Sequence, residues 1–404
     1  MSEPLVIIGN GMAAVRLVDE IGKRALGRHA IAVIGEEPRL AYTRVLLSSL
    51  LADEVAAADV ELKPARWWRD RGVTVRYGSP ATAVDVAART VTLSDGARLA
   101  FSRAVFATGS RPIRLSMPGM ELGGVTTFRD IGDVDAMRSQ AGPGTRVVVI
   151  GGGLLGLEAA HGLAKAGARV ILVHLMDRLM ERQLDDVAAD MLRNAVEARG
   201  VSVLLGAETE RVIGTQRAEA VVLKDGRVIP ADLVVMAVGV RPNAAIAAAA
   251  GLDVNRGVVV DDGLQTSAAH VFAIGECAEH RGACYGLVEP AYEQAAVLAR
   301  RLAGEDARYA GSVLATNLKV SGVDVFSAGD FVGAPGTEQV VLRDPGLGLY
   351  RKLVIARDRL IGAVLYGDTA DGLWYLDLIR SGQSVAALRD DLVFGRALAL
   401  RAAA

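Results

Sequence analysis

Two short apolar runs, each breaking into glycine and then into an Ala- and Leu-rich helical pattern, dominate the hydrophobic profile of the chain. Leu5-Val6-Ile7-Ile8 leads into Gly9-Asn10-Gly11-Met12-Ala13-Ala14, and Val147-Val148-Val149-Ile150 leads into Gly151-Gly152-Gly153-Leu154-Leu155-Gly156. An unbroken apolar run predicts a parallel strand buried on both faces, whereas alternation would predict one face in water. The order strand, glycine turn, helix then has a specific use. The first glycine (Gly9, Gly151) makes the tight turn, and the second (Gly11, Gly153) lets backbone approach a pyrophosphate. The third small residue (Ala14, Gly156) lets helix pack on strand. The free N–H groups and positive dipole of the helix end face the anion. Two such cradles predict two dinucleotides in one chain, and electron transfer between them is the usual reason to hold two.

The pattern also divides the chain. From Leu5 to about Pro112 it runs strand, glycine turn, helix, strand (Ala30-Ile31-Ala32-Val33-Ile34) and a long polar loop, closing in Ala104-Val105-Phe106-Ala107-Thr108-Gly109-Ser110-Arg111-Pro112. Turn formers between Met117 and Gly144 predict a linker with one short helix. A second unit, Arg146 to about Pro242, repeats the plan and ends on a similar phrase, Met236-Ala237-Val238-Gly239-Val240-Arg241-Pro242. The echo suggests an internal duplication. It makes Thr108, Gly109 and Gly239 candidates for backbone running close to a cofactor. Val271-Phe272-Ala273-Ile274-Gly275-Glu276 is a further strand entering a glycine turn. Beyond about Tyr309, β-type runs (Val323-Asp324-Val325-Phe326, Lys352-Leu353-Val354-Ile355) and closing helical segments predict an α+β region with no cradle of its own.

Composition narrows the class. A length of 404 residues favours two or three domains, and a 51% hydrophobic content fills real cores. A net charge of −2 gives no electrostatic case for nucleic acid or an anionic membrane. No apolar run approaches the roughly 20 residues that span a bilayer. Met1-Ser2-Glu3-Pro4 enters the first strand with no basic n-region, so no signal peptide is expected. Two cysteines argue against a disulfide framework and predict a cytoplasmic protein.

Three separated phrases carry a more specific resemblance: Tyr42-Thr43-Arg44-Val45-Leu46-Leu47-Ser48-Ser49, Gly275-Glu276-Cys277-Ala278-Glu279-His280 and Gly367-Asp368-Thr369-Ala370-Asp371-Gly372-Leu373-Trp374-Tyr375. With both cradles, they make the chain resemble the pyridine-nucleotide reductase superfamily over essentially its whole length. Within that superfamily it is most similar to the flavoprotein part of the assimilatory NAD(P)H-nitrite reductase large subunit. Leu318 to Asp330 resembles the same subunit's interface region. The resemblance implies an α/β fold: two doubly wound, Rossmann-like domains and a C-terminal α+β interface domain. FAD is expected in a discontinuous domain of residues 1–115 and 243–308, NAD(P)H in 116–242, and the interface domain in 309–404. The discontinuity follows because Glu276 must reach the same FAD as Gly11.

Site roles follow from both sources. Glu36, just past the second strand, stands where an acid accepts hydrogen bonds from a ribose 2′-OH, although Glu37 beside it could take that role. By resemblance, Arg44 aims a cation at the FAD phosphates and Glu276, after Gly275, binds the ribityl hydroxyls. Gly286-Leu287-Val288-Glu289-Pro290 feeds a helix expected from Ala291, with Pro290 at its start; its N–H groups would face negative charge on reduced flavin. Glu158, two residues beyond Gly156, is the candidate catalytic acid, lying between nicotinamide and flavin in similar reductases. The Lys that pairs with it there is Ser49 here, and Arg44 or Lys319 are candidate substitutes. After Val170-Ile171-Leu172-Val173 an acid would favour NADH; the residue is His174, with Arg178 and Arg182 nearby, so the choice between NADH and NADPH stays open.

Absences shape the expected function. Without Cys-x-x-Cys, a disulfide relay is not expected, and no cysteine lies between Tyr42 and Leu51. Cys277, His280 and Cys284 lack a nearby fourth ligand, so no metal site is expected. The sequence holds neither a Cys-rich iron–sulfur module nor a sirohaem domain, so by itself it is expected not to reduce nitrite. The expected activity is an NAD(P)H oxidoreductase passing electrons through FAD to a separate iron–sulfur or haem protein in nitrite or nitrate assimilation. The alternatives are a ferredoxin or rubredoxin reductase of a monooxygenase system, or an apoptosis-inducing-factor-like NADH sensor. Residues from about Lys319 to Trp374 are expected to cover the flavin and dock the acceptor, a homodimer contact being the other use of that region.

Overall fold

A computed structural model describes residues 2–25, 27–320 and 322–402; the side chains of Leu318, Lys319, Val320 and Ala402 lie outside that description, and with them the expectation about Lys319. Among the described residues the chain forms two compact units, one of 1–50, 55–112 and 240–312, the other of 51–54, 113–239 and 313–404.

The first unit is built on a five-stranded sheet in the order Val271–Ala273, Arg103–Phe106, Glu3–Ile8, His29–Ile34, Thr74–Arg76. Every pairing in it is parallel. Leu5, Ile7, Val33, Val105 and Phe106 are wholly buried, as both-face coverage of a parallel sheet requires. The polar stretch after His29–Ile34 is less bare than expected. It holds the short helices Leu47–Leu51 and Ala65–Arg69 and an antiparallel trio, Ala81–Asp85, Thr90–Leu93 and Arg98–Ala100. These three-to-five-residue elements are too short to produce a readable period.

The second unit repeats that plan. Its parallel sheet runs Val201–Leu204, Arg169–Val173, Arg146–Ile150, Leu233–Met236, Val125–Thr127. It too carries an antiparallel trio, Thr209–Ile213, Ala220–Leu223 and Val228–Pro230. The two sheets differ in where the fifth strand originates. In the first it is Val271–Ala273, from far down the chain; in the second it is Val125–Thr127, from the stretch expected to be a linker. The helix expected there is Ile131–Gln140, capped by the Asp130 carboxylate on the Asp133 N–H.

The remaining strands of the second unit form an antiparallel sheet in the order Ala315–Val320, Val323–Gly329, Arg359–Tyr366, Leu349–Ala356, Glu338–Asp344. The helix Gly372–Ser381 packs on it, with Gly372 against the Phe326 ring. The phrase from Gly367 to Tyr375 is organised around buried Arg351, whose guanidinium meets Asp368, Asp371, the Tyr375 hydroxyl and the Val393 carbonyl. Burial pushes the Tyr375 phenol up to about 12. This sheet is joined to the nucleotide fold through Asp185, which caps the helix Asp186–Glu197 and accepts from the Tyr350 hydroxyl at 2.6 Å, with the Lys352 ammonium at 3.5 Å.

Candidate functional site: two dinucleotide cradles

In the first cradle Gly9 has φ +121°, and a Cβ there would lie 2.1 Å from the Ala107 carbonyl oxygen. Only glycine allows the turn to pass this close to the neighbouring strand. Gly11 is the opposite case: a Cβ there would meet no protein atom within 4 Å. It is the N-cap of the helix Met12–Arg24 and offers no side-chain cap, and the first turn holds no acid. Bare N–H groups beside open space fit a pyrophosphate. Ala14 is fully buried beneath.

Glu36 is exposed just past the strand His29–Ile34. Glu37 is committed elsewhere, accepting from the Tyr42 hydroxyl at 2.7 Å and the Arg44 guanidinium at 2.6 Å. Arg44 also lies over the Tyr42 ring, its guanidinium carbon 5.3 Å from the centroid. Thr108 and Gly109 are braced by a residue the sequence pattern did not single out. The Thr108 hydroxyl donates to the Asn243 carbonyl at 2.6 Å, and Asn243 returns a bond to the Thr108 carbonyl at 3.2 Å. Gly109, at φ +64°, lies beside the Glu276 carboxylate, and Ser110 donates its hydroxyl to that carboxylate at 2.7 Å. Gly275, at φ +79°, donates its N–H to buried Gln294 at 2.7 Å. A Cβ on Gly275 would lie 3.1 Å from Ala13 and 3.8 Å from Ala291, so three small residues bring two helix ends to the Glu276 turn. The second of those helices starts earlier than expected, at Val288. Pro290 therefore sits inside the first turn, where its missing N–H costs nothing, and the N–H groups of Val288 and Glu289 precede it at the helix start.

The second cradle has the same anatomy. Gly151 has φ +119° with a Cβ position 2.3 Å from the Ala237 carbonyl oxygen, and a Cβ on Gly156 would lie 1.9 Å from that of Gly151. Gly153 caps the helix Leu154–Lys165 with no side-chain bond, no acid in the first turn and open space around it. Glu158 is half-buried on that helix. Gly239, at φ +111°, accepts the Ile113 N–H through its carbonyl. His174 is buried, its imidazole packed on Gly152. The Gly152 N–H donates to Nδ1 at 3.0 Å, and Nε2 stands 3.2 Å from the Glu181 carboxylate. No residue pattern pointed to Glu181, because the turn that returns it to His174 passes through Met180 at φ +50°.

Among the described residues, no group of three His, Cys, Asp or Glu side chains is placed to hold a metal ion. Cys277 is wholly buried, its thiol donating to the Phe106 and Ile274 carbonyls, and burial pushes that thiol up. Burial and the nearby Glu279 carboxylate push the Cys284 thiol up as well. Both shifts lower the thiolate fraction that nucleophilic attack would need.

Two doubly wound folds, each with an uncapped helix end behind a glycine turn, define a nucleotide-binding α/β protein. The chain belongs to the pyridine nucleotide-disulphide oxidoreductase family, whose model matches residues 3–298; a rubredoxin NAD+ reductase C-terminal domain model matches 315–383. It is therefore an oxidoreductase that uses a flavin and NAD(P)H. It is 44% identical over 384 residues to the NAD(P)H nitrite reductase of Bacillus subtilis (strain 168), covering 95% of this chain and 48% of that protein. The chain thus spans about half the length of that relative. It is 34% identical to the ferredoxin–NAD(+) reductase subunit of the benzene 1,2-dioxygenase system of Pseudomonas putida, covering 90% of each. The reductase in a covalent putidaredoxin reductase–putidaredoxin complex superposes with a TM-score of 0.89 at 25% identity, covering 99% of this chain and 98% of that one. Despite the family's name, Cys277 and Cys284 are both free thiols. No helix among the described residues is long and apolar enough to cross a membrane.

Proposed function

We propose that the first cradle binds FAD, that the second binds NAD(P)H, and that electrons leave to a separate iron–sulfur or haem protein serving nitrite or nitrate assimilation. The single observation that carries the reading is the pair of matched cradles, each with an uncapped helix end beside an empty glycine. A flavin held there would supply the chemistry, acceptance of two electrons as hydride and their release one at a time. Gly9, Gly11 and Ala14 shape the FAD pyrophosphate site, and Glu36 accepts from the ribose. Arg44, steadied by Glu37, adds positive charge near the phosphates. Glu276, aligned by Ser110, receives the ribityl hydroxyls, and Thr108 and Gly109 carry backbone past them. The helix end at Val288, Glu289, Pro290 and Ala291 favours negative charge on the reduced ring. Gly151, Gly153, Gly156, His174 and Gly239 frame the nicotinamide dinucleotide, with Glu158 as the acid nearest the transfer.

The parallel strand Val271–Ala273 beside Arg103–Phe106 supports a discontinuous FAD domain of residues 1–115 and 243–308, with the NAD(P)H domain at 116–242 and an acceptor-docking domain at 309–404. A ferredoxin reductase of an oxygenase system is the second reading, favoured by the relative that matches over 90% of its length. The test is to purify the protein, release its flavin and identify it, and then offer the reduced protein either a ferredoxin or a sirohaem nitrite reductase module. One FAD per chain and faster reoxidation by the sirohaem module are expected. Faster reoxidation by ferredoxin selects the second reading, and a flavin other than FAD, or none, refutes the cradle assignment.

A further inference from the structure

The residue at the end of the strand Arg169–Val173 usually decides between NADH and NADPH by its charge, and here it is a histidine. His174 is buried and turned in on the cradle. Its Nδ1 accepts the Gly152 N–H, so the proton of the neutral ring sits on Nε2 and is donated to Glu181 at 3.2 Å. A ring protonated on both nitrogens would lose the Gly152 bond. The imidazole is therefore a buried strut between the cradle backbone and one carboxylate. The Glu181 side chain is 25% exposed, so its charge is both fixed in place and open to a ligand. Of the two arginines that would welcome a 2′-phosphate, Arg178 sits between two carboxylates, while Arg182 is 86% exposed and reaches only Glu181, at the edge of ion-pair range. Arg178 lies 3.1 Å from Asp186 and 3.5 Å from Asp177, and Arg182 has its Nε 3.9 Å from Glu181. Over residues 174–186 the acids Asp177, Glu181, Asp185 and Asp186 outnumber those two arginines.

We propose that the second cradle selects NADH over NADPH, and that Glu181, held by His174, is the discriminating carboxylate. It occupies the role an acid at position 174 would fill, displaced seven residues along the chain and returned by the turn at Met180. A ribose 2′-OH donates to such a carboxylate, whereas a dianionic 2′-phosphate is repelled by it. The inference rests on the second cradle being the nicotinamide site.

The test is equilibrium binding to the flavin-loaded protein by titration calorimetry, with NAD+ and NADP+ as probes, so that no turnover is read. NAD+ is expected to bind at least tenfold more tightly than NADP+. Glu181→Gln is expected to shrink that ratio severalfold, mostly by tightening NADP+. His174→Phe, which keeps the ring's bulk and removes both hydrogen bonds, is expected to shrink it as well by releasing the carboxylate. NADP+ binding as tightly as NAD+ in the parent protein overturns the selection while leaving the cradle assignment intact. So does a ratio unmoved by Glu181→Gln. Failure of both dinucleotides to bind overturns the cradle assignment and the selection together.

Discussion

Replacing Gly11 with alanine separates binding from folding more cleanly than any other change in the first cradle. The new methyl would meet no protein atom within 4 Å, and Gly11 has φ −112°, a conformation alanine adopts without strain. The fold should lose only the difference between glycine and alanine at an N-cap, on the order of 0.5–1 kcal/mol. The ligand, however, needs that space. Displacing a pyrophosphate oxygen from one backbone N–H forfeits a charge-assisted bond of about 1.5–3 kcal/mol, which lowers flavin affinity roughly 10- to 100-fold. Gly9→Ala is the control with opposite physics. Its Cβ would lie 2.1 Å from the Ala107 carbonyl oxygen at φ +121°, and the backbone strain alone costs about 1–3 kcal/mol before the collision is counted. The assay is flavin titration of deflavinated protein, followed by fluorescence quenching, beside urea denaturation of the same samples. Gly11→Ala should fold like the parent and bind flavin poorly, and Gly9→Ala should fail in both. Parent-like flavin affinity in Gly11→Ala would refute the assignment of that open space to the pyrophosphate.

Other consequences concern separate parts of the molecule. Gly153→Ala should weaken NAD+ binding by the same roughly 10- to 100-fold with the flavin retained, read by calorimetry on yellow protein. Asp185→Ala should destabilise the second unit by about 3 kcal/mol, summing a lost helix cap and a lost charge-assisted bond to Tyr350, and leaving buried Lys352 without its counter-charge. Hydrogen bonds from Arg146 hold the Asp232 carboxyl down to about 2 from 3.8. Its folded value being depressed, its contribution is full above about pH 4 and is lost as pH falls through 2. Asp232→Asn should therefore be slightly less stable than the parent at pH 6, with the two converging near pH 2 in acid-denaturation curves. Trp374→Ala should slow electron transfer to the protein acceptor while ferricyanide reduction driven by NAD(P)H stays near the parent rate; equal loss of both would refute a docking role.

The unbroken apolar runs before Gly9 and Gly151 made both cradles legible, because covered parallel strands and tight glycine turns leave a local signature. The three-residue strand Val125–Thr127 left none, since its place in the sheet is decided by pairing with Leu233–Met236, far along the chain. The helix expected from Ala291 begins at Val288 because proline is tolerated anywhere in a first turn and does not mark its first residue. Residue type alone could not orient His174. A histidine at a strand end reads equally as a surface group or a ligand, and only the fold shows it turned inward on Gly152. Ser110 and Asn243 went unassigned for the same reason: their partners, Glu276 and Thr108, lie more than a hundred residues away.

Electron exchange between two dinucleotides within one chain is tested most directly by anaerobic stopped-flow mixing of the purified yellow protein with one equivalent of NADH. The visible flavin band is expected to bleach in a single turnover, and Gly153→Ala, with its flavin intact, is expected to bleach far more slowly. A flavin that stays oxidised in the parent protein with both NADH and NADPH, or that bleaches equally fast in Gly153→Ala, would contradict that exchange.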